Sequence, residues 1–203
     1  MVKISLKLIS AAAILAAVGA GLATTPAKAG LGLACPTATT QPFRAWGDSS
    51  AYAYAPDGGF EAGAAGWRLT GGASVVAGNE TFAVHDDADS HSLALPAGSS
   101  ASMPPMCIGL LSSHMRFFVR NSGNPASRLR VQVVYNGGLG AVLGIADVAS
   151  LSAGSTWQPS DSVAMVGGLL PLLTQSVQFR FMPADSTGNW QIDDVYVDPL
   201  MHG

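Results

Sequence analysis

The 203-residue chain is 48% hydrophobic and only 11% charged, with a formal net charge of −3. It contains no basic block, which argues against nucleic acid as a partner. Twenty-four glycines and twelve prolines punctuate it into short segments, with no internal repeat and no long disordered tract.

The first segment reads as a targeting sequence. Lys3 and Lys7 form a basic start, Leu8 to Ala23 is an apolar run, and Ala27-Lys28-Ala29 supplies a small-x-small cleavage site. The apolar core is short for a membrane span and ends in Thr24-Thr25-Pro26, so a signal peptide over 1–29 is the reading, with mature protein starting at Gly30. No other apolar stretch is long enough to cross a bilayer. An exported chain favours oxidised cysteines, and the two present, Cys35 and Cys107, are expected to pair. Closing a loop of that length contributes about 4 kcal/mol in the chain-entropy model. Gly32-Leu33-Ala34-Cys35 faintly suggests the alternative of lipoprotein processing at Cys35.

Residues 30–56 read as an irregular lead-in, with turn formers at Pro36, Pro42, Gly47 and Pro56. From Phe60 onward the pattern is strands and turns. Trp67 to Thr70 and Ala73 to Val76 flank Gly71-Gly72 and predict a hairpin. Strands are expected at Ser92–Leu95, Ala101–Ile108 and His114–Arg120. Leu129, Val131, Val133 and Tyr135 alternate with Arg128, Arg130 and Gln132, the clearest half-buried strand. Val177, Phe179 and Phe181 alternate with Gln178, Arg180 and Met182 in the same way. Weaker strands are expected at Ala141–Ile145 and Trp157–Met165, and a short helical turn at Leu169–Leu173. Many short strands with regular turns predict an all-β sandwich of two antiparallel sheets over 57–199, followed by a tail at 200–203.

Its final strand, Asn189 to Val197, breaks period. Trp190 and Ile192 share one parity while Val195 and Val197 share the other, which predicts a bulge at Asp193-Asp194. Two adjacent carboxylates repel each other, so either a hard cation or exposure at a strand edge is required there.

Phe60-Glu61-x-Gly63, Trp67, Asp89-Ser90-His91-Ser92-Leu93 and Asn189-Trp190-Gln191-Ile192-Asp193-Asp194-Val195 occur in an order that resembles the galactose-binding-like jelly roll of many carbohydrate-binding modules. The resemblance covers residues 57 to 199. It implies that the first and last strands pair beside a structural calcium ion. Carried over position by position, Glu61 and Asp193 would be side-chain ligands, Gly59, Asp89 and His91 carbonyl donors, and Asp194 a further carboxylate. Asp89-Ser90-His91 departs from the glycine and lysine common in that turn. Calcium takes six to eight oxygens in flexible geometry, which carboxylates and carbonyls distant in sequence can supply.

Enzyme-like patterns do not assemble into a catalytic set. Gly47-Asp48-Ser49-Ser50 resembles the nucleophile block of GDSL-type hydrolases, with His202 near the C-terminus. Those enzymes have an α/β layered fold, and Asp198-x-x-x-His202 has one residue too many for their acid–base pair. The run His85-Asp86-Asp87-Ala88-Asp89-Ser90-His91 holds two histidines and three carboxylates, but its spacing matches no usual transition-metal pattern and reads as a solvated loop.

Sugar recognition would need exposed aromatic platforms. Trp67, Trp157, Trp190 and Tyr135 read as core or strand-opening residues, and nothing in the sequence singles out a binding face among Trp46, Tyr52, Tyr54 and Tyr196. The resemblance therefore carries the functional expectation: an exported, non-catalytic carbohydrate-binding-like module with structural calcium, acting on cell-surface or environmental glycans. The alternative is a secreted structural or adhesion sandwich without a sugar site.

Overall fold

The computed structural model describes residues 38–106, 114–137, 140–165 and 176–198. The expected signal peptide, Cys35, Cys107, the Leu169–Leu173 turn and His202 lie outside them. Among the described residues there is no α-helix, and no helix is long and apolar enough to cross a membrane.

Twelve strands are formed by the described residues: β1 (Ala53–Tyr54), β2 (Arg68–Thr70), β3 (Ser74–Ala77), β4 (His91–Pro96), β5 (Ser100–Ser102), β6 (His114–Asn121), β7 (Leu129–Asn136), β8 (Val142–Leu151), β9 (Gln158–Pro159), β10 (Val163–Ala164), β11 (Ser176–Pro183) and β12 (Asn189–Val197). They make two antiparallel sheets. One has the order β10-β6-β12-β4-β3, with β1 on β12 and β9 on β6; the other has the order β2-β5-β11-β7-β8.

The alternating strands behave as the pattern dictates. Leu129, Val131, Val133 and Tyr135 of β7 face the core opposite Val177, Phe179 and Phe181 of β11, while Gln132 and Arg180 point outward. Each fully buried large apolar side chain contributes roughly 1.5–3 kcal/mol relative to exposure, so this layer holds the sandwich together. Trp190 is buried at its centre and donates its indole N–H to Ser127 Oγ at 3.2 Å.

The last strand bulges where its period breaks. Its register on β6 shifts between Asp193 and Tyr196, and Asp194 has φ 45°. The extra residue lets Trp190, Ile192, Val195 and Val197 all enter one core. β1 pairs with the far half of this strand, Ala53 opposite Val197 and Tyr54 opposite Tyr196.

Three expectations change. Gly71-Gly72 does not close a hairpin, because β2 pairs with β5 in one sheet and β3 with β4 in the other. Positive φ at both glycines, 62° and 89°, turns the chain across the sandwich instead. Of the strand expected over Ala101–Ile108, described as far as Met106, Ala101 and Ser102 belong to β5 and Met106 makes an isolated bridge to Val177. The segment expected to be an irregular lead-in supplies β1, a bridge from Thr40 to Tyr52, and a 3-10 turn at Arg44–Trp46. Its Phe43 and Tyr52 join Phe118, Trp157 and Tyr196 in a second buried cluster on the outer face of the β6–β12 sheet. Asp48 fastens this segment, pairing with Arg116 at 2.8 Å and accepting from the Tyr52 hydroxyl at 2.8 Å. Burial pushes the Asp48 carboxyl up, but its hydrogen bonds, that from Arg116 foremost, hold it well below the usual carboxylate range. In this role Asp48 is a structural anchor of the Gly47–Ser50 stretch.

Candidate binding site

The bulge in β12 presents two successive carboxylates away from the main core, and neither is exposed: Asp193 and Asp194 are both 0% accessible. A turn from Ala55 to Gly59 plugs into the bulge. Ala55 N donates to Val195 O at 2.9 Å, and Val195 N donates to Gly58 O at 3.1 Å. A Cβ at Gly58 would stand 2.7 Å from the Val195 carbonyl, so only glycine fits this approach. A Cβ at Gly59 would collide with the Tyr54 hydroxyl and stand 3.1 Å from Asp194 Oδ1 and 3.6 Å from Asp89 Oδ2.

The carboxylates are held by backbone and hydroxyl donors. Asp193 accepts from the amides of Glu80 (2.9 Å) and Asp194 (2.9 Å). Asp194 accepts from the Tyr54 hydroxyl (3.1 Å) and the His85 amide (3.2 Å). Glu80, itself buried, turns its carboxylate onto the amides of Phe82 and Val84 and so shapes the loop after β3. His85 Nδ1 lies 2.8 Å from Asp89 Oδ2, and its ring stacks on Tyr54 with centroids 3.8 Å apart and planes 2° from parallel.

The electrostatics follow from burial. Desolvation is the leading cause that pushes Asp193 up to about 9, with the Asp194 and Glu80 charges adding to it against the bonds from the Glu80 and Asp194 amides. Asp194 rises to about 6, again chiefly by burial, with the Tyr54 hydrogen bond opposing and Glu80 reinforcing. Tyr54 and Tyr196 are also pushed up, by burial first and then by Asp194. Each of these groups favours its neutral form beside so much negative charge.

Of the positions carried over from the resemblance, Gly59, Asp89 and Asp194 come together. One donor atom from each of Asp89, Asp194 and His85 lies within 4.8 Å of the others. Asp193 is adjacent in the chain but spends both oxygens on amides. Glu61 is engaged elsewhere: its Oε1 accepts from the amides of Ser90 and His91, each at 2.7 Å, and its Oε2 lies 2.7 Å from His91 Nδ1. Burial pushes the Glu61 carboxyl up, but these bonds outweigh it and hold the group below its usual value. Glu61 and His91 thus form a clamp between the turn at Phe60–Gly63 and the start of β4. Two clustered carboxylates with a tyrosine hydroxyl and an imidazole nitrogen suit a divalent cation, which would favour the ionised form of Asp194 that burial disfavours.

Beside this cluster lies a cleft of about 540 Å³ lined by Trp46, Tyr52, Tyr54, Phe82, His85 and Tyr196, among others. Tyr52 and Tyr196 are its buried members, while Phe82 is 43% exposed and the His85 side chain 38%. Trp46 meets Phe82 edge to face with centroids 5.0 Å apart. Nothing in the sequence singles these out as a face. Phe43, Trp46, Tyr52 and Tyr54 fall within twelve residues of the supposed lead-in, and that density was the available signal.

No protein-family model matches the sequence, and no curated protein matches it. Solved structures do match. The enzymatically active domain of bacteriophage CBA120 tailspike protein 4 superposes with TM-score 0.54 at 15% identity, over 72% of this chain but only 21% of that one. The CBM22-1–GH10 modules of Clostridium thermocellum xylanase 10B, in complex with xylohexaose, give 0.51 at 17% identity over 71% of this chain and 28% of that one. TmCBM61 in complex with β-1,4-galactotriose gives 0.50 at 14% identity, over 72% of this chain and 98% of that one. At such identities the likeness is one of fold, and the chain has the β-sandwich fold of carbohydrate-binding modules.

Proposed function

We propose that the protein is an exported, non-catalytic carbohydrate-binding module whose glycan site is the aromatic cleft of Trp46, Tyr54 and Phe82. The cleft carries this reading: a concavity with accessible ring faces and edges suits the C–H faces of pyranoses, with Tyr54, His85 and Gln41 as neighbouring polar groups. The shared fold supports it, since two of the matching structures hold oligosaccharides. Affinity is expected in the micromolar to millimolar range of an open site. The same reading places a structural calcium ion at Asp89 and Asp194 beside Gly59, where it would neutralise buried charge and brace the Tyr54–His85 wall. A glycan array on the mature protein, followed by calorimetry on the strongest ligand, tests the cleft. Trp46→Ala with Phe82→Ala should abolish binding while a folded melting transition persists; undiminished binding would sink the cleft assignment. No turnover of esters, glycosides or peptides is expected from the same preparation.

One observation favours the second reading, a surface or adhesion domain. Val142, Leu143 and Ile145 are exposed on β8, at the end of its sheet among the described residues, with Ile145 51% accessible. Silence on a broad array would move the conclusion to that reading.

A further inference from the structure

The outer face of the β2-β5-β11-β7-β8 sheet is opposite in character to the rest of the molecule. Its strands carry Arg68, Arg130 and Arg180, and of the chain's thirteen acidic residues Asp147 alone lies on them. The register aligns these side chains. Arg68 stands opposite Ser102, Ser102 opposite Arg180, Arg180 opposite Gln132, and Gln132 opposite Asp147. One polar row therefore crosses all five strands, about 19 Å at the usual strand spacing. Arg130 lies in the neighbouring row, opposite Met182 and Ser150.

Among the described residues these arginines have no internal anion to serve. Among the described residues, no carboxylate lies within 4.0 Å of any of the three; Arg116 alone of the arginines has one, Asp48. Arg180 Nε bonds only the Ser102 hydroxyl, at 3.2 Å, and Asp147 is occupied by the Gln132 amide at 2.8 Å. A shallow hollow of about 430 Å³ opens between Arg130, Asp147 and Ser150. None of the outward-facing residues on these strands is aromatic, so the face offers neither a platform for nucleic-acid bases nor an aromatic anchor for a protein interface. Guanidinium forks flanked by a hydroxyl and an amide instead match a ligand that repeats carboxylates among hydroxyls.

We propose that this sheet face is a second binding site, separate from the aromatic cleft, for an acidic polysaccharide of the uronate class. Arg68 and Arg180 stand two strands apart, about 10 Å, and would each engage a carboxylate, with the Ser102 hydroxyl between them and the Gln132 amide on the far side of Arg180 to bond hydroxyls. Affinity electrophoresis of the mature protein in gels containing polygalacturonate, neutral xylan or single-stranded DNA tests this. Polygalacturonate should retard the protein, less so as salt is raised. The variant Arg68→Gln/Arg180→Gln should bind at least tenfold more weakly with an unchanged melting temperature. Arg68→Gln alone, at an exposed position with no internal ion pair, should already weaken binding and does not depend on the Arg180–Ser102 bond. Trp46→Ala/Phe82→Ala should leave polygalacturonate binding intact, so the two sites fail separately. Full retention of binding in the arginine variants would overturn the proposal. So would absence of retardation at low salt, or equal binding to DNA, which would reduce the face to charge attraction alone.

Discussion

Replacing Asp193 by asparagine probes the balance of charge at the bulge. In the unfolded chain both Asp193 and Asp194 titrate near 3.8, whereas in the folded protein they reach about 9 and about 6. Between those limits the native state holds protons that the unfolded chain has released, so stability falls as pH rises. From pH 5 to pH 8 Asp194 accounts for about 1 kcal/mol of that loss and Asp193 for about 4 kcal/mol, at ~1.4 kcal/mol per pH unit and proton. Asp48 and Glu61, held below their usual values, stabilise the fold above their unfolded values, and that contribution is nearly complete by pH 5. Thermal melts in excess chelator should therefore show a melting temperature lower at pH 8 than at pH 5 by about 10–20 °C, at 2–4 °C per kcal/mol for a domain of this size. Asp193→Asn removes the larger part, so most of the difference should vanish. Millimolar calcium should raise the wild-type melting temperature more at pH 8, where the carboxylates need not first lose protons, than at pH 5. A chelated wild-type protein equally stable at both pH values would refute the reasoning.

Two further substitutions test the parts that hold the site in place. Gly58→Ala drives a methyl group into the Val195 carbonyl and should cost about 1–3 kcal/mol, seen as a lower denaturation midpoint with an unchanged slope. Glu61→Ala breaks the clamp on β4, so hydrogen exchange at the Ser90 and His91 amides should quicken at least tenfold while the amides of β7 stay protected.

Much of the fold was legible because its signals are local. A two-residue period states which face of a strand is buried wherever it pairs, so β7 and β11 could be read from Leu129–Tyr135 and Val177–Phe181 alone. The parity change between Ile192 and Val195 likewise announced the bulge, since no regular strand could bury both pairs. The turn at Gly71-Gly72 shows where that logic stops. Two glycines between apolar runs mark a reversal, but whether the runs pair with each other is decided by β5 and β4, which compete for their edges.

The composition of the site was set by pairing across the whole chain. Glu80 reaches Asp193 over 113 residues and His85 reaches Asp194 over 109. Spacing along the sequence carries no record of such contacts. The Glu61 carboxylate accepts from the amides of Ser90 and His91, about thirty residues on, a pairing that no local pattern around Phe60-Glu61 records. The aromatic residues 43–54 looked like an irregular leader since a strand of two residues, β1, has too short a run to show a period. Only its pairing with β12 places Trp46 and Tyr54 over the β6–β12 sheet and makes a cleft of them. Local pattern thus determined which residues are strands and which way they face, while tertiary pairing decided which side chains meet, because a site built from distant segments exists only once the sheets have closed.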